Sequence, residues 1–206
     1  LIPFAHRLWI STSSLWGPNA EEALKNQTPP VSRLTSWQLE SAPIDWEILD
    51  KGLQGELART DKKSPHDYQE VAIAKVHDGF NAADRGKMIM ACGTGKTFTT
   101  LWIKEALKAH TTLVLLPSLS LLSQTMREWA WAGNTEFEIL NVCSDKSVGK
   151  KTEDMEVSDA PFPVSSEPAE IAKFLKRPEP KVIFCTYQSS PLIAEVQSDS
   201  NIPTFD

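Results

Sequence analysis

The stretch MIMACGTGKTFT, Met88 to Thr99, constrains this chain more than any other: an apolar run breaks into two glycines and then into a Lys-Thr pair. A turn of this kind wraps backbone N–H groups around an anion at the start of a helix, where the dipole and the unsatisfied donors already favour negative charge. Gly93 and Gly95 remove the Cβ atoms that would block that approach. The run KMIMAC before them reads as a buried strand entering a turn, and TFTTLWIKEALKAH after them carries Phe98, Trp102 and Ala106 at helical spacing. Strand, glycine turn and helix are the context that a phosphate grip requires. In such a grip Gly93, Thr94 and Gly95 cradle the phosphates of the bound anion, Lys96 reaches the β- and γ-phosphates, and Thr97 offers its hydroxyl to Mg²⁺. The strict GxxxxGK pattern is not met, because Met90 occupies the first glycine position. Cys92 reads as a small filler of the loop, since nothing in the sequence marks it as an activated thiol.

Helical and strand patterns alternate from Pro65 onward. DYQEVAIAKVHDGF places Tyr68, Ala72, Val76 and Phe80 on one helix face. After the glycine turn and its helix, TTLVLLP, FEILNVCS and KVIFCTY read as strands, and SLSLLSQTMREWAW, EPAEIAKFLKR and SSPLIAEVQ as helices. Such alternation predicts right-handed crossovers onto a parallel sheet with helices on both faces, an α/β fold. Ser144 to Ser166, poor in apolar residues, reads as a surface loop rather than a functional lid. No internal repeat is present.

Residues 1–64 have a different texture. They hold Trp9, Trp16, Trp37 and Trp46 of the chain's seven tryptophans, with turn-rich joints at GPN and TPP. We read them as an α-containing appendage and linker, with a helix AEEALKN opened by Asn19 and Glu22 as a capping box, and with KGLQGELARTDKKSP, Lys51 to Pro65, as the linker. The boundary is expected near residue 64, leaving 65–206 as the second unit.

A net charge of -6 argues against a protein that coats nucleic acid by bulk positive charge, but not against one that grips phosphates with a few loops. Three widely separated cysteines, Cys92, Cys143 and Cys185, offer neither a disulfide framework nor a CxxC metal site, and are expected to be reduced, buried thiols. No apolar run approaches the roughly 20 residues of a membrane span, and LIPFAHRLWI lacks the marks of a signal peptide. A cytoplasmic protein without a membrane partner is the expectation, and the opening on Leu1 suggests a piece of something longer.

MACGTGKT resembles motif I of superfamily-two helicases and translocases, in the form found in restriction-enzyme motor subunits, such as the type III Res subunit, and in UvrB-like proteins. The resemblance covers about residues 65–206 and implies the first RecA-like domain of a P-loop NTPase motor. It also implies further landmarks. Those proteins place an aromatic-Gln pair upstream on a helix, where the amide reads the adenine edge; HDYQ supplies Tyr68 and Gln69, the latter 27 residues before Lys96. LVLLPSLSLLSQT is similar to motif Ia, in which Ser118 and Ser120 would present hydroxyls and amides to a nucleic-acid phosphate at a helix N-terminus, although capping serines are also common there. VIFCTYQSS is similar to a later motif and sets Thr186, Tyr187 and Gln188 at the carboxyl end of a strand, the edge at which open α/β sheets bind ligands. Tyr187 either stacks on a base or packs.

Phosphoryl transfer needs more than a grip. In the resembled family the carboxylates that complete the Mg²⁺ shell form a DExH or DEAD box, and no such sequence occurs in these 206 residues, while a second RecA-like domain brings the arginine fingers. The chain alone is therefore expected to bind nucleotide weakly and to hydrolyse it negligibly. Its leading segment loosely resembles the stretch that follows an Mrr-type nuclease core in single-polypeptide, type ISP, restriction enzymes. No convincing set of nuclease carboxylates precedes residue 50, and Asp61, Lys62 and Lys63 read as a solvated charge cluster, so no nuclease residues are assigned. On this resemblance ATP and Mg²⁺ are the expected cofactors, with DNA and further domains of the same polypeptide as partners. A P-loop kinase or metabolic ATPase, and a non-catalytic nucleotide-binding module, stand as alternatives. The Tyr-Gln pair and SLSLLSQT tell against the kinase, which needs no backbone track.

Overall fold

A strand buried along its whole length needs neighbours on both sides and cover on both faces. In the computed structural model that strand is Lys181–Thr186, here β6, every residue of which is buried. The structure describes residues 7–13, 16–17, 19–20, 23, 27, 31–47, 62–143 and 164–206. The expected helix AEEALKN, the linker up to Asp61 and the loop from Ser144 to 163 lie largely outside them.

The main sheet has four strands in the order β3-β6-β4-β5, with β3 at Thr111–Leu116, β4 at Glu138–Val142 and β5 at Val164–Ser165. All its pairings are parallel, as alternating strands and helices demand. Side chains of β6 alternate between two cores. Ile183 and Cys185 face one cluster, which the helices Pro168–Leu175 (α5) and Ser190–Gln197 (α6) cover with Ile171, Phe174, Leu175 and Ile193. Val182 and Phe184 face the other, built from Leu101 of helix α3 (Lys96–Ala106) and from Leu122, Met126 and Trp129 of helix α4 (Leu119–Ala132). Helices thus lie on both faces of a parallel sheet, the expected α/β class. Each large apolar side chain placed in these cores contributes roughly 1.5–3 kcal/mol.

Three expectations fail. KMIMAC is not a strand: no strand is assigned at Lys87–Ala91, and the Ile89 side chain is 92% exposed. A strand is a property of its neighbours, and among the described residues none pairs with this segment. The helix Asp67–Phe80, α2, forms as read, but its expected apolar face is not sealed, with Tyr68 50% and Phe80 47% exposed. That face and the Lys87–Ala91 segment line a cavity of about 830 Å³, with Val71, Val76, Met88 and Ile103 in its walls. Third, Cys143 and Cys185 are buried as expected, whereas Cys92 is exposed.

The leading segment holds more than helix. Arg7–Ser11 (β1) and Val31–Thr35 (β2) form a two-stranded parallel sheet, followed by the short helix Ser36–Glu40 (α1). Its tryptophans meet cations and each other: Trp9 packs edge-on to Trp16 at 5.4 Å, and the Arg33 guanidinium lies 4.8 Å above the Trp16 ring. The Arg127 guanidinium, on α4, lies 5.9 Å from the Trp37 ring, which brings α1 against the larger unit. No helix among the described residues is long and apolar enough to cross a membrane.

Candidate functional site

The glycine turn folds as a left-handed corner. Gly93 and Gly95 have φ of +77° and +72°, a region that L side chains enter at a cost of about 1–2 kcal/mol. Gly95 is the N-cap of α3. Its position is doubly restricted, because a Cβ there would stand 2.7 Å from Gln69 Nε2. Met90 is not among the positive-φ residues, which explains why that position tolerates a side chain although the strict pattern has glycine there. The loop satisfies its own carbonyls: Lys96 Nζ donates to Ala91 O at 2.8 Å and to Met90 O at 3.2 Å, and Thr94 Oγ1 donates to Ala91 O at 2.8 Å. An ammonium and a helix N-terminus thus meet at one corner, the electrostatics an anion seeks.

Tyr68 and Gln69 reach the same corner from α2. Gln69 is 3% exposed; its amide nitrogen donates to Thr94 O at 2.9 Å, and its carbonyl oxygen accepts from His66 N at 2.9 Å. Tyr68 hydroxyl lies 3.4 Å from the same Thr94 O, and its ring stacks on His66 at 5.6 Å. The same nitrogen also lies 3.5 Å from Gly95 O, so both amide N–H groups are directed at the loop, and the oxygen that caps α2 keeps one further lone pair.

The second group sits at the carboxyl edge of the sheet. Leu116 and Thr186 are register partners in β3 and β6, so the loops that follow them leave the sheet side by side. Ser118 is the N-cap of α4, its hydroxyl accepting from Leu121 N at 3.2 Å, and Ser120 is exposed in the first turn. Thr186 points inward: it is 3% exposed and its hydroxyl donates to Ser189 Oγ at 2.9 Å. Tyr187, 56% exposed, and Gln188, also exposed, are what that loop presents to solvent.

Three contacts had no reading in the sequence. Trp129 Nε1 donates to Thr97 O at 2.9 Å, tying α4 to the first turn of α3; a buried tryptophan that needs a partner for its N–H was the only signal. Lys62 and Lys63 are exposed, as a solvated cluster would be, but they also have partners: Lys62 Nζ donates to Gly133 O, and the Lys63 ammonium stands 4.4 Å above Phe98 and 5.8 Å from Trp131. Asp61 lies outside the described residues. Asp206 accepts through its carboxylate from His110 N at 2.5 Å and Thr111 N at 2.7 Å, which holds the start of β3.

Among ionisable groups, burial pushes the Cys185 thiol up to about 12, with the neighbouring Cys143 adding to the shift. Burial lowers the Lys104 ammonium, partly opposed by Glu105, while the same ammonium lies 4.8 Å from the Phe137 ring. Among the described residues no group of three His, Cys, Asp or Glu side chains is placed to hold a metal ion.

The family described as "Type III restriction enzyme, res subunit" matches residues 62–205, and one described as "Restriction endonuclease" matches residues 2–56. Among solved structures, the chain is similar to the ATP-dependent type ISP restriction-modification enzyme LlaBIII bound to DNA, with 30% identity and a TM-score of 0.81 over 97% of this chain and 13% of that one. It is also similar to a nuclease-deletion mutant of the type ISP enzyme LlaGI in complex with a DNA substrate mimic, with 35% identity and a TM-score of 0.58 over 70% of this chain and 14% of that one. The chain therefore spans less than a sixth of either relative. No curated protein sequence matches it.

Proposed function

The chain belongs to the type III restriction enzyme res-subunit family, and on that premise we propose that it is the ATP-binding part of a DNA translocase motor in a restriction-modification enzyme. In this reading residues 65–206 are part of the first RecA-like domain, and residues 1–64 are an appendage and linker that end an Mrr-like nuclease domain. Both belong to a longer cytoplasmic polypeptide with a second RecA-like domain.

The observation that carries the reading is the convergence of Lys96, Tyr68 and Gln69 on one left-handed corner at the start of α3. Two positive-φ glycines, a helix N-terminus and an ammonium fit a triphosphate. Gly93, Thr94, Gly95 and Lys96 would hold it, Thr97 would offer one oxygen to its Mg²⁺, and Tyr68 with Gln69 would hold the base. Bound ATP supplies the free energy of phosphoanhydride cleavage. The carboxylates that complete the metal's shell are assigned to no residue of this chain.

DNA is the proposed track. Both similar structures are described in complex with DNA or a mimic of it, and the adjacent exits after Leu116 and Thr186 form an edge suited to a phosphate backbone. Ser118 and Ser120 would bond phosphates with hydroxyls and amides, Tyr187 and Gln188 would meet the strand from the next loop, and Thr186 would shape that loop from beneath.

The test is the ATPase rate of the full-length protein with and without duplex DNA, beside its Lys96→Ala variant. Stimulation by DNA that disappears in the variant is expected. Turnover indifferent to DNA would overturn the reading in favour of a small-molecule ATPase.

A further inference from the structure

Trp129 stands where the two halves of the site meet. Its indole N–H donates to Thr97 O, the carbonyl of the residue after the loop lysine, and that same oxygen accepts from Thr100 Oγ1 at 2.9 Å. The ring is 2% exposed and packs edge-on to Phe184 at 5.5 Å, two residues before Thr186 on β6. Its own helix, α4, begins at the Ser118 cap about three turns earlier. One side chain therefore touches the nucleotide helix and the strand behind the Tyr187 loop, and is carried by the helix behind Ser118.

The bond is selective. The indole nitrogens of Trp102 and Trp131 are also buried in this region, and among the described residues neither has a hydrogen-bond partner. Burial alone does not place an indole N–H on a carbonyl. An α-helix is stiff along its axis, so displacement of the N-terminus of α4 by a bound phosphate is felt at Trp129, and through its N–H at the turn that carries Lys96 and Thr97.

We propose that Trp129 is a positioning residue that couples the DNA edge to the nucleotide loop through its N–H···O=C bond to Thr97. The inference rests on the motor reading above and adds the element that lets one ligand sense the other. Binding linkage is reciprocal: if nucleotide changes DNA affinity by some factor, DNA changes nucleotide affinity by the same factor, typically about 5–150.

The test is made in the full-length protein. The Kd for duplex DNA is measured with and without a non-hydrolysable ATP analogue, in the native protein, in Trp129→Phe, and in Trp129→3-benzothienylalanine, which keeps the bicyclic ring and removes only the N–H. The ratio of the two Kd values is expected to fall towards one in both variants. A purely structural role would weaken both affinities and leave the ratio unchanged; a ratio that survives in the benzothienyl variant overturns the proposal. Because that variant is isosteric, the test stands even if Trp129→Phe does not fold. A native protein whose own ratio is one would overturn the motor reading together with the coupling, a result distinct from loss in the variants alone.

Discussion

Gln69 Nε2 donates a 2.9 Å hydrogen bond to the carbonyl of Thr94, joining α2 to the glycine loop, and the same nitrogen stands only 2.7 Å from where a Cβ on Gly95 would be. The two residues are therefore energetically coupled. Gly95→Ala is expected to cost about 1–2 kcal/mol of backbone strain and to displace Gln69, weakening nucleotide binding at least tenfold. Gln69→Ala alone takes from Thr94 O the nearer of its two donors and leaves it the Tyr68 hydroxyl at 3.4 Å, for about 1 kcal/mol. The double variant should be less impaired than the sum of the two, since removing Gln69 removes the clash. Nucleotide titrations of all four proteins check this, and strict additivity would contradict the geometry.

Cys92 lies in the loop itself and is exposed, whereas Cys185 is buried with its thiol pushed up to about 12. At pH 8 the folded chain should expose one thiol to a disulfide reagent, and all three in denaturant. If the loop holds phosphate, saturating ATP should slow the reaction of Cys92 several-fold. An unchanged rate would detach nucleotide from this loop.

Tyr187 contributes little to the core but stands at the proposed DNA edge. Tyr187→Ala should leave the urea midpoint unchanged and weaken DNA binding by about 1–3 kcal/mol, the worth of one base–aromatic stack, while Tyr187→Phe keeps most of the affinity. Equal DNA affinity in all three proteins would return Tyr187 to a surface role.

Lys104 is buried beside Phe137, and burial lowers its pKa from 10.5. Between the lowered folded value and the ordinary unfolded one, the unfolded chain binds more protons, so this residue makes stability rise with pH in that window. Below the window it carries the full cost of a buried charge. Lys104→Met should therefore be more stable at pH 7, with the gain shrinking towards pH 10.5. Urea midpoints at the two pH values test the sign, and a gain that grows with pH would contradict it.

What the sequence disclosed follows the range of the forces involved. The helices α2 to α6 and strands β3, β4 and β6 were legible because each shows its own period and ends at its own breakers. The strand status of Lys87–Ala91 was not, since pairing is decided by neighbours distant in sequence. The parallel pair of Arg7–Ser11 with Val31–Thr35 escaped for the same reason, helped by an exposed LWI run that lacks alternation. The glycine loop was visible as local chemistry and the Tyr68–Gln69 pair through the resemblance to helicase motifs, and the structure brings them together at Thr94. The inward turn of Thr186, the docking of Lys62 and Lys63, and the bond from Trp129 to Thr97 are tertiary contacts with no local signature.

Movement along DNA is the central claim, and triplex displacement reports it most directly. The full-length protein is placed on a duplex that carries a third strand far from its entry site, and release of that strand is followed with and without ATP. The account predicts ATP-dependent release, after a lag that lengthens with distance, and none with Lys96→Ala. ATP turnover without release of the third strand at any distance would contradict it.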